Sequence, residues 1–519
     1  MPVLNWIGKD KVVNHDKELP FRVLKPVKDQ SIGEASENLL IQGDNLEALK
    51  ALMPFYYGKV KCVYIDPPYN TGNEKWVYND KVNSPQIKAW LKKVVGPEGE
   101  DLCRHDKWLS MMYPRLKLLK DLLSEDGTIF VSIDDNELHN LRLIMNEIFG
   151  EQNFVNIFTW KKNSSGKTVN REFPVNTEYL LMYSKNREFV NFNIVYKPLA
   201  KSTKKTYSKN DHDGRGQYAS VSVQKTGSPG PLTTYDYVDN NGKIWPCPKK
   251  GYRMIQKKLK ALENDDRLIL TGSVLREKSY WNERNNEGQI ADTLWDDIDE
   301  GNIGTKELHD IFNDAVFDHP KPISLIKRAI KIGSGNNGLV LDSFAGSGTT
   351  GQAVLELNKE DGGSRKFILV ELEKDIAKNV TAKRLTKVIE GYEGAKFPEG
   401  TGQGFEYLDL NGELYDYSGY VNPDAKYEDM AAYIYFTETK NYLDISSIEN
   451  PHIGSQGNIH YFLFFDGKGN NVLDEEILKK TDKYKGDKII YADKCLLDEE
   501  ELTKKGIIFK QIPYELKKF

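Results

Sequence analysis

Two stretches of this chain alternate short apolar runs with amphipathic helical patterns, and this alternation constrains the fold more than any other feature. In the first stretch, the apolar runs LLIQ (39–42), KCVYI (61–65) and TIFVSI (128–133) are separated by the helical patterns NLEALKALMPFYY (45–57) and WLSMMYPRLKLLKDLL (108–123). In the second, the order is GLVLDSF (338–344), GTTGQAVLELN (348–358), KFILVEL (366–372) and DIAKNVTAKRLTKVI (375–389). Strands that alternate with helices form parallel sheets. The sequence therefore predicts an α/β fold at both ends of a different middle.

Length and composition describe a globular protein of more than one unit. The 519 residues exceed the size at which a single core stops growing, so two or three packed units are expected. Hydrophobic residues make up 39% and charged residues 29%, which excludes disordered and collagen-like chains. No apolar run has the length of a membrane span, and the N-terminus lacks a signal-peptide core. We expect a cytoplasmic protein that makes no membrane contact.

The cysteines and histidines form no pattern that binds metal. The four cysteines are far apart and lack the spacing of a zinc site: Cys62, Cys103, Cys247 and Cys495. The eight histidines are scattered, and we interpret them all as structural or surface groups, including His319 near the second stretch. We expect no metal and a reducing compartment.

The strongest chemical signal is KCVYIDPPYNTGN, a buried-strand pattern that ends in Asp66, Pro67, Pro68 and Tyr69. Ligands bind at the carboxyl ends of parallel strands. The exocyclic amine of a nucleic-acid base is a poor nucleophile because its lone pair is delocalised into the ring. Asp66 can accept one N–H of such an amine and the carbonyl of Pro67 the other, while Pro68 stiffens the turn. Tyr69 offers a ring on which an extruded base can stack.

The second signal is GLVLDSFAGSGTTGQAV, a strand that ends in Asp342 and Phe344 and is followed by a turn at Gly346 and Gly348. Such a turn lets a ligand approach the backbone, and a glycine-rich loop of this kind can also hold a dinucleotide. No GK[ST] follows, so the loop is not an ATP-binding Walker A motif. Glu371 ends the next strand, where a carboxylate can bind two ribose hydroxyls.

A third element, IQGDNLEALKAL, places Asp44 at a strand end and Asn45 at the start of a helix. Asn45 could simply cap that helix. The residues alone do not decide between a cap and a binding role.

The middle of the chain, about residues 186–317, shows no sustained period and is basic. Residues 161–260 hold about 20 Lys and Arg against about 7 Asp and Glu. Basic stretches are often only solvated surface. Here aromatic residues are interleaved with the charge, which favours a surface that contacts nucleic acid: Tyr207, Tyr218, Tyr235, Tyr237, Trp245 and Tyr252.

A linker, KFPEGTGQGF, follows residue 395 and introduces a C-terminal segment without a catalytic motif. Three apolar runs predict strands there, namely AAYIYF (431–436), IHYFLFF (459–465) and KIIYAD (488–493). We expect a separate C-terminal α/β unit.

The order DPPY, variable middle, FAGSGTT resembles the beta class of amino-methyltransferases. Further motifs are similar to the modification subunits of type III restriction-modification systems: NWIGKDKVVNHDKELPFRVL, GDNLEALKAL, YIDPPYNTGN, GTIFVSIDDNEL, DTLWDDI and HPKPISLIKRAI. The resemblance covers residues 1 to about 185 and about 290–395. It implies an α/β fold in which a circularly permuted Rossmann-like methyltransferase sheet carries an inserted target-recognition domain and a C-terminal α/β unit.

The resemblance also implies domain boundaries and site residues. The catalytic half would span 1–185, the target-recognition domain 186–317, the cofactor-binding half 318–395 and a domain for partner or dimer contacts 396–519. Asp66, Pro67, Pro68 and Tyr69 would be catalytic. S-adenosylmethionine would be bound by Asp44, Lys321, Asp342, Phe344, Gly346, Gly348, Thr349, Thr350 and Glu371, with Lys321 near its methionine end and Glu371 on its ribose. Lys204 and Lys205, or Lys249, Lys250 and Arg253, are the candidates for phosphate contacts.

The implied function is methylation of adenine N6 in double-stranded DNA, with a homodimer and a restriction subunit supplied by another chain as possible partners. An N4-cytosine methyltransferase is the nearest alternative, but its motif usually begins with serine where this chain has Asp66. Protein-glutamine and RNA methyltransferases with an NPPY-type motif do not explain a basic insert of this size. A DNA-recognition subunit without catalysis is a third reading, and intact Asp66, Tyr69, Gly346 and Glu371 argue against it.

Overall fold

The computed structural model describes residues 4–33, 37–71, 104–164, 173–199, 201–228, 230–283, 288–416, 419–439, 441, 443 and 448–515. The chain forms two compact units. The larger contains the residues up to Asn193 and those from Thr293 onward, and the smaller is Ile194–Asp292. The smaller unit falls within the segment 186–317 that the sequence marks as the insert.

A ten-stranded sheet forms the centre of the larger unit. Its strands are β1 Phe21–Pro26, β2 Leu39–Gln42, β3 Val60–Ile65, β4 Leu123–Ile133, β5 Phe154–Lys161, β6 Thr177–Ser184, β7 Leu294–Trp295, β8 Leu339–Asp342, β9 Lys366–Glu371 and β10 Glu406–Tyr415. The order is β1-β10-β2-β9-β8-β3-β4-β6-β5-β7. All neighbours from β10 to β4 are parallel, whereas β1 and β6 run antiparallel to their neighbours. The predicted α/β sheet is confirmed.

Helices cover both faces of this sheet. They are α1 Asn45–Tyr56, α2 Arg104–Leu122, α3 Leu138–Phe149, α4 Gly301–Phe312, α5 Ile323–Ser334, α6 Thr349–Asp361, α7 Lys383–Glu390 and α8 Tyr427–Thr439. Shorter helical segments are Lys9–Val12, Lys374–Ile376 with the π-turn Ala377–Ala382, Glu475–Lys479 and Glu499–Lys504. None of the described helices is both long and apolar enough to cross a membrane. Of the cysteines, Cys62, Cys247 and Cys495 are free thiols, and Cys103 lies outside the described residues.

The two faces hold separate hydrophobic cores because side chains alternate along each strand. On β3, Val63 and Ile65 belong to the core that also contains α1, α2 and α3. Cys62 and Tyr64 belong to the core beneath α5, α6 and α7. Burial on both faces explains why these strands appear in the sequence as continuous apolar runs.

The chain reverses its winding direction between β3 and β8, which are neighbours in the centre of the sheet. From β8 the chain crosses through α6 to β9 on one side, and from β3 it crosses through α2 to β4 on the other. In open α/β sheets, the crevice at such a reversal is where ligands bind. The fold therefore brings the end of the DPPY strand beside the end of the glycine-motif strand, although Asp66 and Asp342 are 276 positions apart in the sequence.

The C-terminal segment is only partly separate from the central sheet. Strand β10 inserts between β1 and β2. Beyond it lies a four-stranded sheet of His452–Gln456, Ile459–Leu463, Asp487–Ala492 and Ile507–Gln511, and a two-stranded sheet of Val472–Leu473 and Lys494–Cys495. The strands predicted from IHYFLFF and KIIYAD are confirmed.

The strand predicted at AAYIYF is wrong, because residues 431–436 lie within α8. Met430, Ala431 and Ile434 are buried at helical spacing. The run is apolar and aromatic almost throughout, so its period does not distinguish a buried helix from a buried strand.

The smaller unit has its own core. Its strands are Tyr196–Lys197, Tyr218–Ser222, Tyr237–Val238, Ile244–Trp245, Leu268–Ile269, Arg276–Tyr280 and Gln289–Ile290, and its helices are Lys201–Thr206 and Gln256–Asn264. Tyr237, Trp245 and Tyr252 are almost completely buried among Val223, Leu259, Leu268 and Leu275.

The inference that the aromatic residues of the middle form a surface for nucleic acid is therefore wrong for most of them. Tyr207 and Tyr218 are also buried, and Tyr235 is half-buried against Tyr252. A unit of about 100 residues needs a core of its own, and these rings supply it.

Candidate active site

The DPPY turn is held rigidly at the end of β3. The indole N–H of Trp108 on α2 donates to the carbonyl of Pro68 over 2.6 Å. The next residue, Asn70, is buried and has a left-handed φ of 59°, and its side chain bonds Glu137. Asn tolerates this conformation better than most residues. Both contacts fix the backbone that carries Asp66, Pro67 and Tyr69.

The carbonyl of Pro67 differs from that of Pro68 in its partners. Among the described residues, none donates a hydrogen bond to the carbonyl of Pro67. Asp66 and Pro67 both follow directly on the end of β3. That their oxygens accept the two N–H groups of an amine stays a prediction.

Asp66 is mostly buried and paired with a lysine. The Nζ of Lys321 lies 2.9 Å from Oδ1 and 2.7 Å from Oδ2 of Asp66. Burial raises the pKa of Asp66 above its usual value, and the charge of Lys321 opposes that rise. Lys321 also lies over the ring of Tyr69, 4.9 Å from its centroid.

A second carboxylate, Glu178 at the start of β6, completes this cluster. Tyr69 donates its hydroxyl to Oε2 of Glu178 over 3.2 Å, and Lys162 contacts Oε1 at 2.7 Å. Lys321 lies 3.7 Å from Oε2. Glu178 and Lys162 were not predicted from the sequence, because neither belongs to a motif. Only the pairing of β6 with β4 and of β5 with β6 brings them here.

Asp342, at the end of β8, is almost inaccessible to solvent. Its carboxylate accepts the backbone N–H of Phe344 over 3.0 Å and the hydroxyl of Thr350 over 2.5 Å. Burial raises the pKa of Asp342 to about 7, although both hydrogen bonds oppose the rise. Asp342 therefore changes its protonation state near neutral pH.

Close packing within the protein explains the two glycines in the turn that follows Asp342. Gly346 and Gly348 have φ of 51° and 81°. A Cβ on Gly346 would lie 3.0 Å from the ring of Phe317, and one on Gly348 would lie 2.9 Å from Thr381. The turn thus depends on close contacts that a side chain would disrupt.

Arg384 supports this turn from the protein interior. Its buried guanidinium donates to the hydroxyls of Ser347 and Thr349 over 2.9 and 2.8 Å. It also bonds the amide oxygen of Gln352 on α6 over 2.7 Å. Burial lowers the pKa of Arg384 to about 10, so it is charged at neutral pH. No motif in the sequence pointed to this residue.

Glu371, at the end of β9, joins its strand end to the same turn. Its Oε2 accepts the backbone N–H of Gly346 over 2.8 Å, and its Oε1 accepts that of Glu373 over 2.9 Å. Each carboxylate oxygen can accept more than one bond. Glu371 is only 2% exposed, so a ligand can contact its carboxylate only inside a pocket of the protein.

Asp44 caps α1, which corrects the assignment of Asn45 to that role. Its Oδ1 accepts from the backbone N–H groups of Leu46 and Glu47, and Oδ2 faces Arg115 at 3.3 Å. Asn45 is instead the first helical residue and bonds the carbonyl of Ser343. Asp44 follows β2, which pairs with β9, so it lies at the same sheet edge as Glu371.

One narrow cavity joins the two motifs. Asp66 and Lys321 line it on one side, Asp342, Phe344, Gly346, Thr349 and Thr350 on the other, and Phe317 and His319 complete its wall. The space is about 20 Å³, roughly one water molecule.

The candidate phosphate-binding residues all lie on the surface of the smaller unit. Lys204 and Lys205 form no ion pair with any described residue, and Lys204 lies 5.8 Å from the ring centroid of Trp281. Arg253 is paired with Glu277, and Lys250 bonds the carbonyl of Thr226. Lys204 and Lys205 are thus less engaged within the protein than Lys250 and Arg253.

Comparison with known proteins yields one family. Residues 60–383 match the family model N6_N4_Mtase, described as DNA methylase. The chain is 35% identical over 402 residues to the Mod subunit of the type III restriction-modification enzyme StyLTI from Salmonella typhimurium, covering 73% of this chain and 60% of that protein. It is 31% identical over 421 residues to the EcoP15I Mod subunit from Escherichia coli, covering 71% and 64%. The resemblance to type III modification subunits is confirmed.

A type II methyltransferase is also similar. M.KpnI from Klebsiella pneumoniae is 30% identical over 373 residues, which cover 68% of this chain and 84% of that enzyme. By contrast, the matched region spans only about three fifths of the two Mod subunits. The family model matches more than half of the chain, and it includes both the DPPY and the FAGSGTT motifs. The chain therefore belongs to the N6_N4_Mtase family of DNA methylases.

Proposed function

We propose that this protein transfers a methyl group from S-adenosylmethionine to N6 of adenine extruded from double-stranded DNA. The observation that carries the proposal is the cavity that Asp66 and residues of the glycine turn line together. The carboxylate of Asp66 and the carbonyl of Pro67 accept the two N–H groups of the amine, which directs its lone pair away from both. Asp66 can accept these bonds while it remains paired with Lys321, since a carboxylate offers about four acceptor positions.

Residues of the glycine motif and of the neighbouring strand ends fit S-adenosylmethionine chemically. The cofactor supplies a methyl group on a positively charged sulfonium, together with an ammonium group and a ribose. Asp342 is a buried carboxylate suited to a cation, and Glu371 is suited to the ribose hydroxyls. Phe344 and the turn at Gly346 and Gly348 would line the pocket, with Thr349 and Thr350 at the start of α6, and Asp44 would lie near the cofactor's adenine.

Incubation of the protein with methyl-labelled cofactor and duplex DNA tests this function. We expect label in N6-methyladenine after digestion to nucleosides. Label in N4-methylcytosine would show that cytosine, not adenine, is the substrate, and absence of label from DNA would refute the proposal.

The similarity to Mod subunits supports a place in a type III restriction-modification system. Copurification with a restriction subunit and the mass of the free protein would test the expected partner and homodimer.

Replacing Glu371 with alanine should weaken S-adenosylmethionine binding by about 1.5–3 kcal/mol, the range for a hydrogen bond to a charged group. This is roughly a 10- to 150-fold rise in Kd. Catalysis at saturating cofactor should largely survive, because Glu371 does not contact the amine. Calorimetric titration measures the change, and Glu373→Ala, which removes a carboxylate two residues away, is the control. If Glu371→Ala binds S-adenosylmethionine as tightly as the wild type does, Glu371 does not hold the ribose.

Replacing both Lys204 and Lys205 with alanine should flatten the salt dependence of DNA binding. Each phosphate contact contributes about 0.9 to the slope of log affinity against log salt. Cognate and non-cognate DNA should weaken by similar factors, because phosphate contacts position the protein without reading sequence. The adjacent, exposed pair Lys479 and Lys480 in the C-terminal region, replaced in the same way, provides the control. An unchanged slope would show that Lys204 and Lys205 do not contact phosphates, and Lys249, Lys250 and Arg253 would then be the candidates.

A further inference from the structure

Four charged side chains form an alternating series beside the DPPY turn. Asp66 pairs with Lys321, Lys321 lies 3.7 Å from Glu178, and Glu178 pairs with Lys162. The side chains of Asp66, Lys321 and Glu178 are only 10–13% exposed. Opposite charges in such surroundings are weakly screened, so each carboxylate depends on the adjacent ammonium.

Lys321 is the cation nearest to Asp66 within the described part of the chain. The other titratable groups that face Asp66 are neutral or acidic: Tyr64 on β3, Tyr69 in the turn, Glu178 on β6 and Asp342 on β8. His319, two residues from Lys321, lines the same cavity, and burial lowers its pKa. At neutral pH, the charge of Asp66 is therefore balanced chiefly by Lys321.

We propose that Lys321 is a positioning residue that keeps Asp66 ionised and correctly oriented, and that Glu178 holds Lys321 and Tyr69 in place. The proposal rests on the proposed function, because it concerns how Asp66 accepts the amine. Only the ionised carboxylate has all its positions available as acceptors. Two bonds from one ammonium, one to each oxygen, also restrict rotation of the carboxylate. Glu178 contacts both Lys321 and the hydroxyl of Tyr69, so it links the acceptor to the ring that stacks on the base.

This role differs from the cofactor contact that the family resemblance implies for Lys321. A lysine that binds the methionine end of the cofactor would affect its affinity. A lysine that maintains the charge of Asp66 affects the pH at which turnover fails. The two roles are therefore separable in one variant.

The test is the pH dependence of kcat at saturating cofactor and DNA in Lys321→Met. Loss of an opposite charge at this distance moves the pKa of a carboxylate by about 1–3 units. Asp66 would then take up a proton at higher pH, so the acidic limb of the profile should move up by about 1–3 pH units. Lys321→Arg should restore the limb toward its wild-type position. An unmoved limb in Lys321→Met, with cofactor affinity reduced at least tenfold, would overturn the proposal.

Lys327→Met is a matched control. Lys327 is as buried as Lys321 and also contacts two carboxylates, Glu356 and Glu360, but it lies outside the cavity. The Lys327→Met substitution should lower the free energy of unfolding about as much as Lys321→Met does, and it should leave the pH profile of kcat unchanged. In Glu178→Gln the amide oxygen can still accept from Lys321 and Tyr69, but the negative charge of Glu178, which raises the pKa of Asp66, is removed. The acidic limb should move down in Glu178→Gln, and a shift in the same direction as Lys321→Met would contradict the arrangement.

A direct titration separates this inference from the proposed function. The ¹³C carboxyl resonance of Asp66, assigned by its loss in Asp66→Asn, should titrate at higher pH in Lys321→Met than in the wild type. The measurement needs neither cofactor nor turnover. If the wild type fails to methylate DNA, the proposed function fails while this titration still decides the charge relation. Equal titration in both proteins would refute the role of Lys321.

Discussion

Asp66→Ala is expected to lower kcat by about 10²–10⁴-fold, the loss typical of removing a positioned acid–base group, and so to near or below detection. The carboxylate contacts the amine as it reacts, so the deficit should fall on kcat rather than on binding. The fold should survive, because Lys321 retains Glu178 as a neighbour and no ammonium is left without a carboxylate. Methyl transfer measured at saturating cofactor and DNA gives the result.

Asp66→Asn is the conservative comparison, since it retains the shape of the side chain and removes its charge. Its activity should also fall well below the wild type, because an uncharged amide polarises the amine less and its one oxygen must also accept from Lys321. DNA and cofactor affinities of both variants should stay close to the wild type. Turnover within tenfold of the wild type in Asp66→Ala would remove Asp66 from the catalytic role.

The second large effect is a pH-dependent affinity for S-adenosylmethionine that arises from Asp342. Burial holds the pKa of Asp342 at about 7, so the side chain is largely protonated below neutral pH. A cationic ligand binds better to the carboxylate and lowers its pKa. Binding below pH 7 must therefore release a proton, and affinity should fall by about tenfold for each pH unit below 7. Above that pH it should level off.

Calorimetry in two buffers of different ionisation enthalpy measures this proton release. Nearly one proton should leave per cofactor bound at pH 6, and almost none at pH 8.5. Asp342→Asn should bind weakly at every pH and show no release from this group. Asp66→Asn serves as the control, because it removes the other carboxylate of the cavity. Pronounced proton release that persists in Asp342→Asn would assign the effect to another residue.

The sequence predicted the parts of the site that local pattern determines. Asp66 and Asp342 each follow a continuous apolar run, and a strand buried on both faces has that pattern. Because the carboxyl ends of parallel strands meet at one sheet edge, the sequence also predicted that the two motifs would come together. The helices α1, α2 and α6 were predicted from the helical patterns between the apolar runs.

The parts that depend on tertiary contacts could not be predicted. Glu178 and Lys162 reach Asp66 only through the pairing of β5, β6 and β4, and Arg384 supports the glycine turn from a helix with no motif of its own. Lys321 was noticed, but its contact with Asp66 depends on the path of the segment before α5. The buried rings of the smaller unit were misassigned because aromatic residues among charges have the same pattern in a small core and on a binding surface.

Sequencing of single DNA molecules can show whether this chain methylates adenine N6 through Asp66. DNA would be isolated from a host without adenine methylation that expresses either the wild type or Asp66→Ala. We expect N6-methyladenine at one recurring sequence in the wild-type DNA and none in the DNA from the variant. N4-methylcytosine in place of N6-methyladenine, or equal methylation by both proteins, would contradict it.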